Sequence, residues 1–312
     1  MKHTSRWQIF KPSTKIFFRE GQQTPGYSLW DWVHGYVYAR WPYLYISIAT
    51  GEHRLSKHFA PVFKRVSRIL ARLKKKPPEK PVTFADTYHG KVVPLGAATH
   101  LVTVGEEIRL TNLEKVIPYP KARDIVLKNP DHILVLECPC RAGRANPCLP
   151  LDVCLIIGDP FASFVEEHHP RRSRRITPEQ AVEILEAEDK RGHVHHAFFK
   201  DAMLGRFYAI CNCCECCCGA MQAHRHGTPM LASSGYVCQV DETLCMNCGE
   251  CRAYCQFGAL SQGDRFCKVD QEACMGCGVC TSKCAQGALS LKLELHKGIP
   301  LEINELMKVA PG

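Results

Sequence analysis

Eight cysteines between residues 245 and 284 fall into two copies of one spacing, Cys245-x2-Cys248-x2-Cys251-x3-Cys255 and Cys274-x2-Cys277-x2-Cys280-x3-Cys284. Thiolates are soft ligands, and three of them on one tight loop can converge on a face of an iron–sulfur cube. A fourth cysteine, a helical turn further on, points back across the domain towards a second cube. Zinc held by four thiolates is the other chemistry open to these residues. Zinc ribbons, however, pair two CxxC units and do not need a three-cysteine run plus one, twice. The residues between the cysteines repeat as well: Gly249 matches Gly278, and Phe257-Gly258-Ala259-Leu260 matches Gln286-Gly287-Ala288-Leu289.

Over residues 236–295 the chain resembles a bacterial-type ferredoxin that carries two [4Fe–4S] clusters. The resemblance implies a pseudo-twofold, ferredoxin-like domain for electron transfer. It also implies two ligand sets, Cys245, Cys248 and Cys251 with Cys284, and Cys274, Cys277 and Cys280 with Cys255. One departure is plain: Gln256 and Ala285 stand where the family has proline after the fourth cysteine. That proline shapes a loop and binds no iron, so the departure bears on potentials and loop rigidity.

Ten further cysteines precede this stretch in two groups. One is Cys138, Cys140, Cys148 and Cys154; the other is Cys211, Cys213, Cys214, Cys216, Cys217 and Cys218. Each group follows an expected strand, so the two loops can meet in space. Neighbouring side chains diverge, so the crowded second group suggests either a multi-iron centre or a mixture of ligands and bystanders. Three chemistries compete: one or two further iron–sulfur clusters drawing on both groups, a structural zinc site, or redox-active thiols. Cys217-Cys218-Gly219 also resembles the CCG motif of heterodisulfide reductase catalytic subunits, but the distant CxxC and the second copy of that pattern are missing. Arg141 and Arg144 can supply hydrogen bonds that tune such a centre. Cys238 and Cys267, flanked by strand-like residues, are expected to be buried core thiols.

The elements that must position these residues are expected to be of α+β class. The boundaries run as a basic docking arm and linker (1–80), a cysteine-rich α+β module (81–235), the two-cluster domain (236–296) and a tail (297–312). Residues 91–110 suggest short strands at VVPL, HLVTV and IRL. A short helix is expected over 121–128, a strand over 132–137, a strand or helix over 153–157 and a strand over 207–210. The clearest helix is 178–191, with Thr177 as cap, Pro178 in the first turn, Gln180 completing a capping box and Gly192 as stop.

The chain has 312 residues and a formal net charge of +9, and residues 1–80 hold 16 Lys+Arg against 4 Asp+Glu. Any electrostatic partner should therefore meet the first quarter. Residues 27–50 are dense in Trp and Tyr, which suits a boundary between apolar and wet surroundings. Over 54–76, Leu55, Phe59, Val62, Phe63, Val66, Ile69, Leu70 and Leu73 recur at steps of three and four. Arg54, Lys57, Lys64, Arg65, Arg68 and Arg72 take the opposite face. Such a basic amphipathic helix fits an anionic membrane surface, a docking site on a larger enzyme, or plain packing. KKKPPEKP (74–81) reads as a stiff linker.

Twenty cysteines in a chain that opens MKHTSRWQIFKPSTK, with no apolar leader, read as metal ligands in a reducing cytoplasm. No run approaches the ~18 apolar residues a spanning helix needs. His193, His195 and His196, His168 and His169, and the basic run at 170–175 read as solvent-facing polar residues before they read as ligands or an anion site. No Walker loop, GxGxxG turn, radical-SAM or haem motif is present. The expectation is an electron carrier or redox subunit with two [4Fe–4S] clusters and a further cluster upstream. Its expected partner is a flavoprotein or membrane oxidoreductase, with peripheral membrane contact through 27–76 and nucleic acid disfavoured. The competing classes are a reductase of disulfides or other small acceptors at the upstream cysteines, and a membrane or nucleic-acid adaptor with structural metals.

Overall fold

The computed structural model describes residues 10–53, 88–119 and 122–309. The amphipathic stretch over 54–76 and the linker after it lie outside the described residues. Three helices come first: α1 (Pro12–Gln23), α2 (Leu29–Arg40) and α3 (Pro42–Ala49). Proline opens α1 and α3, where its missing N–H is no loss, and Ser28 and Asp31 close a reciprocal capping box on α2.

One eight-stranded sheet follows, built from β1 (Tyr88–Val92), β2 (Ile108–Leu110), β3 (Ile125–Glu137), β4 (Asp152–Asp159), β5 (Ser173–Ile176), β6 (Val194–Lys200), β7 (Arg206–Cys213) and β8 (Leu231–Ala232). Its order is β2-β3-β4-β7-β6-β1-β8, with β5 paired to β3. All pairs are antiparallel except β1 with β8. Between the strands run α4 (Leu95–Val102), the single turn α5 (Pro139–Ala142), α6 (Phe161–His168) and α7 (Pro178–Lys190), and α8 (Gly219–Arg225) follows β7.

Alternation along the strands divides the core in two. Ile133, Val135, Leu155, Ile157 and Phe199 pack with Leu101 of α4 and Leu185 of α7. Leu134, Leu136, Cys154, Ile156 and Phe198 point the other way, where Phe17, Phe161 and Phe164 cover them. Phe17 meets Phe161 and Phe164 edge-on, each at 5.9 Å, an arrangement worth about 0.5–1.5 kcal/mol per pair beyond the area buried. With both faces covered, β6 is buried along its whole length.

Several expectations are corrected. Residues 100–102 of HLVTV close α4 instead of forming a strand: Ala97, Ala98, Leu101 and Val102 are buried at helical spacing, and a short apolar run carries no period of its own to decide between the two. Of the helix expected over 121–128, residue 121 lies outside the described residues, and residues 125–128 are instead the start of β3, whose Ile125 and Leu127 alternate inward. Pro130 is tolerated there because the β3–β4 register slips between Lys128 and Ile133, a bulge that needs no donor. Residues 153–157 are strand, within β4. The aromatic stretch 27–50 does not stand clear as an arm. Tyr27 donates to the Ala202 carbonyl at 2.7 Å, Tyr43 to the Glu137 carbonyl at 3.0 Å, and the Tyr38 and Tyr208 hydroxyls meet at 2.8 Å. The polar tips thus find protein instead of a wet boundary. An apolar remainder stays exposed, Trp30 at 81 % and Leu29 at 64 %.

The C-terminal part is a small unit of two ribbons. β9 (Tyr236–Val240) pairs antiparallel with β12 (Leu289–Leu293), and β10 (Leu260–Gln262) with β11 (Cys267–Val269). Single turns α9 (Glu250–Ala253) and α10 (Val279–Ser282) carry the third cysteine of each run, and α11 (Ile303–Val309) closes the described chain. Among the described residues no helix is long and apolar enough to cross a membrane.

Candidate metal centres

The two halves of the C-terminal unit repeat contact for contact. Asp241 and Asp270 accept from the backbone two residues on, and their carbonyls accept the Cys245 and Cys274 amides, both at 3.0 Å. Gly249 and Gly278 enter the turns α9 and α10 in the left-handed region, at φ 80° and 84°, which suits glycine. Gly276 (φ 64°) is more constrained, since a Cβ there would overlap the Tyr236 carbonyl. Its counterpart Asn247 adopts φ 50°, tolerable for asparagine.

This framework brings Cys255 to the same cavity as Cys274, Cys277 and Cys280. Cys251 lies in the field of Cys248 and Cys284, and of Cys280. Backbone N–H groups aim at the sulfurs in matched pairs. Ala259 donates to Cys255 Sγ at 3.2 Å and Ala288 to Cys284 Sγ at 3.3 Å. Cys267 donates to Cys245 Sγ and Cys238 to Cys274 Sγ, both at 3.4 Å. Cys238 and Cys267 are the buried thiols expected from sequence, but their amides reach across the unit to cysteines of the repeated motif, which their strand-like flanks did not signal. Burial raises the Cys251, Cys274 and Cys277 thiols and takes Cys267 to about 12. Such a donor set holds its negative charge only with a cation among the sulfurs, and soft thiolates with amide donors fit iron–sulfur clusters.

Upstream, the ten cysteines separate into six and four. Cys154 and Cys211 sulfurs lie 3.9 Å apart across paired strands. From there contacts run through Cys138, Cys140 and Cys218 to Cys213. These six, together with Cys214 and Cys217, line a cavity whose other walls include Tyr38, Tyr88, Phe161 and Tyr208. Contact with Cys140 and burial push Cys138 up to about 12; against the lowering bond from Cys218, burial and the nearby Cys211, Cys138 and Cys140 together take Cys213 to about 12. Thiols held this high ionise at neutral pH only beside a cation.

The other four, Cys148, Cys214, Cys216 and Cys217, have all their sulfurs within 4.8 Å of one another. Adjacent Cys216 and Cys217 therefore do converge, contrary to the expected divergence, because residues 215–217 form a turn in which successive side chains need not alternate.

Arg141 sits between the cysteine wall and α7. It is 1 % exposed and donates to Glu188 at 2.5 Å, to the Pro150 carbonyl at 2.6 Å and to the Asn212 carbonyl at 2.9 Å. Glu188 also accepts from His193 Nδ1 at 2.6 Å and Arg191 at 2.9 Å. Burial alone would raise its carboxyl, but His193 and Arg141 hold it below the usual range. His195 donates to Asn212 at 2.6 Å, and burial drives His196 down to about 3. The HVHH run is thus sheet interior, not surface, because β6 is covered on both faces. His168 pairs with Thr14, and His169 with the Ala39 carbonyl. In the basic run, Arg172 stacks 4.1 Å over Tyr43 and Arg174 pairs with Asp152.

Gln256, at the position where the ferredoxin resemblance leads one to expect proline, is bonded on both sides of its amide. Its Nε2 donates to the Gly192 carbonyl at 3.0 Å, and its Oε1 accepts from the Glu215 amide at 2.9 Å. One side chain beside Cys255 thus ties the C-terminal unit to the end of α7 and to the turn of Cys214 and Cys216.

Compared with known families, residues 238–261 match the 4Fe–4S binding domain, a span that contains Cys245, Cys248, Cys251 and Cys255. No curated protein matches the chain.

Proposed function

We propose that this iron–sulfur protein relays single electrons through two [4Fe–4S] clusters near its C-terminus and a further centre upstream, as subunit or partner of a larger redox complex. Cys245, Cys248, Cys251 and Cys284 would hold one cluster, and Cys274, Cys277, Cys280 and Cys255 the other. The observation that carries this reading is the cavity shared by Cys255 and the second run, since a donor crossing from the opposite half is what paired clusters require. When bound, such clusters supply reversible one-electron change at potentials between about −700 and +450 mV. The chain's own work is to hold the sulfurs and to exclude water with Val237, Leu260 and Leu289. Amides of Cys238, Ala259, Cys267 and Ala288 donate to sulfur, which favours the more negative, reduced form.

The upstream centre would draw on Cys138, Cys140, Cys154, Cys211, Cys213 and Cys218, whose thiols touch one another in a chain. The partner, a flavoprotein or membrane oxidoreductase, would meet the basic residues 1–80 and the exposed Leu29 and Trp30.

The test is electron paramagnetic resonance of the reduced full-length protein with single Cys→Ser variants. Cys255→Ser should disturb the same signal as Cys277→Ser, and Cys284→Ser the same signal as Cys248→Ser. Grouping of Cys255→Ser with Cys248→Ser would defeat the assignment. A second reading is favoured by one observation: the thiols share an apolar cavity with Tyr38, Tyr88, Phe161 and Tyr208, the kind of lining a small-molecule site has. In that reading the wall of cysteines reduces a disulfide or other small acceptor. Turnover with an artificial donor, abolished by Cys154→Ser, would select it over the relay.

A further inference from the structure

Cys148, Cys214, Cys216 and Cys217, of which Cys214 and Cys217 also line the cavity, stand apart from the other upstream cysteines by how closely their sulfurs gather. The sulfurs of Cys148 and Cys214 are 3.7 Å apart, those of Cys216 and Cys217 3.8 Å, and those of Cys148 and Cys216 3.1 Å. A tetrahedral ion with metal–sulfur bonds of about 2.3 Å spaces its four sulfurs about 3.8 Å apart. A cube carries its thiolates on separate irons and holds them farther apart. Among the described residues this is the one group of three or more metal-type donors gathered within 4.8 Å; neither set of four in the C-terminal unit is drawn in so tightly.

We infer that Cys148, Cys214, Cys216 and Cys217 bind a single tetrahedral metal ion, zinc being the occupant that a closed shell of four thiolates suits best. The site is separate from any cluster, and it stands whether or not the other six upstream cysteines hold one. Four protein sulfurs leave no open position, so the ion's role is structural. It clips the loop ahead of β4, which carries Cys148, to the turn after β7, which carries the other three.

The surroundings are those of a built site. The Cys148 amide points at Cys217 Sγ at 3.5 Å. Arg144 donates from two nitrogens to the Cys217 carbonyl, at 3.3 and 3.0 Å, and pairs with Glu52. Gln222 donates to the Cys216 carbonyl at 2.9 Å and accepts from Arg144 at 2.6 Å. Outer contacts of this kind orient metal ligands, and the guanidinium offsets the surplus negative charge of four thiolates around a dication.

The experiment is metal and sulfide analysis of anaerobically purified full-length protein, with X-ray absorption at the zinc edge. The expected result is one zinc per chain with four sulfurs at about 2.3 Å. Cys148→Ser and Cys216→Ser should each lose that zinc with acid-labile sulfide unchanged, while Cys154→Ser keeps it. A single iron in the same shell, without sulfide and with thiolate-to-iron absorption, would keep the one-ion site and overturn only zinc. Loss of about four irons and four sulfides in Cys148→Ser would overturn the inference in favour of a cluster. Zinc-free wild-type protein with a Cys148–Cys216 disulfide, read by mass, would overturn it in favour of a redox pair. The wild-type absorption spectrum decides the question even if the variants fail to fold.

Discussion

Replacing Gln256 by alanine should loosen the joint between the C-terminal unit and the cysteine-rich module without unfolding either. Two hydrogen bonds disappear, one to the Gly192 carbonyl at 3.0 Å and one from the Glu215 amide at 2.9 Å. Each contributes about 1 kcal/mol net, and a partly buried group left unpaired adds to the loss. The sum is about 2 kcal/mol, which corresponds to roughly a 30-fold larger open population at the joint. Other contacts survive: the Lys283 ammonium still donates to the Lys190 carbonyl at 2.7 Å, and Tyr254 still covers Gly192. The assay is hydrogen exchange of the anaerobic protein. The Glu215 amide and its neighbours in the Cys214–Cys217 turn should exchange roughly 30-fold faster, with β3 and β7 unchanged. Gln256→Glu keeps the acceptor for the Glu215 amide but loses the donor, so it should fall between. An unchanged Glu215 amide, or an equal loss of protection across the sheet, would refute this account of the position.

Other consequences are equally open to measurement. Arg141→Met leaves Glu188, itself 0 % exposed, with only His193 and Arg191; removing one partner of so buried a pair should cost about 3 kcal/mol, read as a lower urea midpoint under nitrogen. Gly276→Ala forces a Cβ against the Tyr236 carbonyl at φ 64°, a backbone cost of roughly 1–2 kcal/mol before any clash, so iron and sulfide content should fall, whereas Asn247→Gly should leave both unchanged. His132 donates to Asp159 at 3.1 Å; that bond raises the imidazole's pKa despite burial, while His132, Ser163 and Asn129 hold the Asp159 carboxyl below the usual range against burial. The histidine's contribution is therefore full below 6.5 and lost as pH rises through its raised folded value, and the aspartate's is full above 3.8 and lost as pH falls. Wild type should exceed His132→Gln by about 1 kcal/mol between these limits, and the gap should close towards alkaline pH in denaturation measured across pH.

What the chain spells out locally was legible, and what depends on distant partners was not. Helix α7 could be bounded from Thr177, Pro178, Gln180 and Gly192 because its capping box is closed by its own neighbours. The repeated cysteine spacing was legible for the same reason: each run is one loop. The sorting of the ten upstream cysteines was hidden, since it turns on a bend at 215–217 and on the antiparallel pairing of β4 with β7. The alternation of Cys211 and Cys213 along one strand was the one signal that could have grouped them. His193, His195 and His196 look like surface residues until α7, with Glu188 beside His193 and His195, and α8, with His224 beside His196, are known to cover the sheet. The aromatic stretch at 27–50 misled because amphipathic rings suit a water boundary and a hydrogen-bonded protein interface equally well; only Ala202, Glu137 and Tyr208 decide between them. Gln256 reads as a mere departure from a loop-shaping proline until Gly192 and Glu215 are seen on either side of its amide.

The account rests on the C-terminal cysteines holding iron and sulfide as two cubes. Counting both per chain in the oxygen-free, full-length protein addresses this most directly. The account predicts about eight irons with matching sulfide from this unit, and roughly twelve if the upstream wall is also filled. A preparation with four irons or fewer per chain after anaerobic reconstitution, or one holding zinc without sulfide at the eight cysteines, would contradict it.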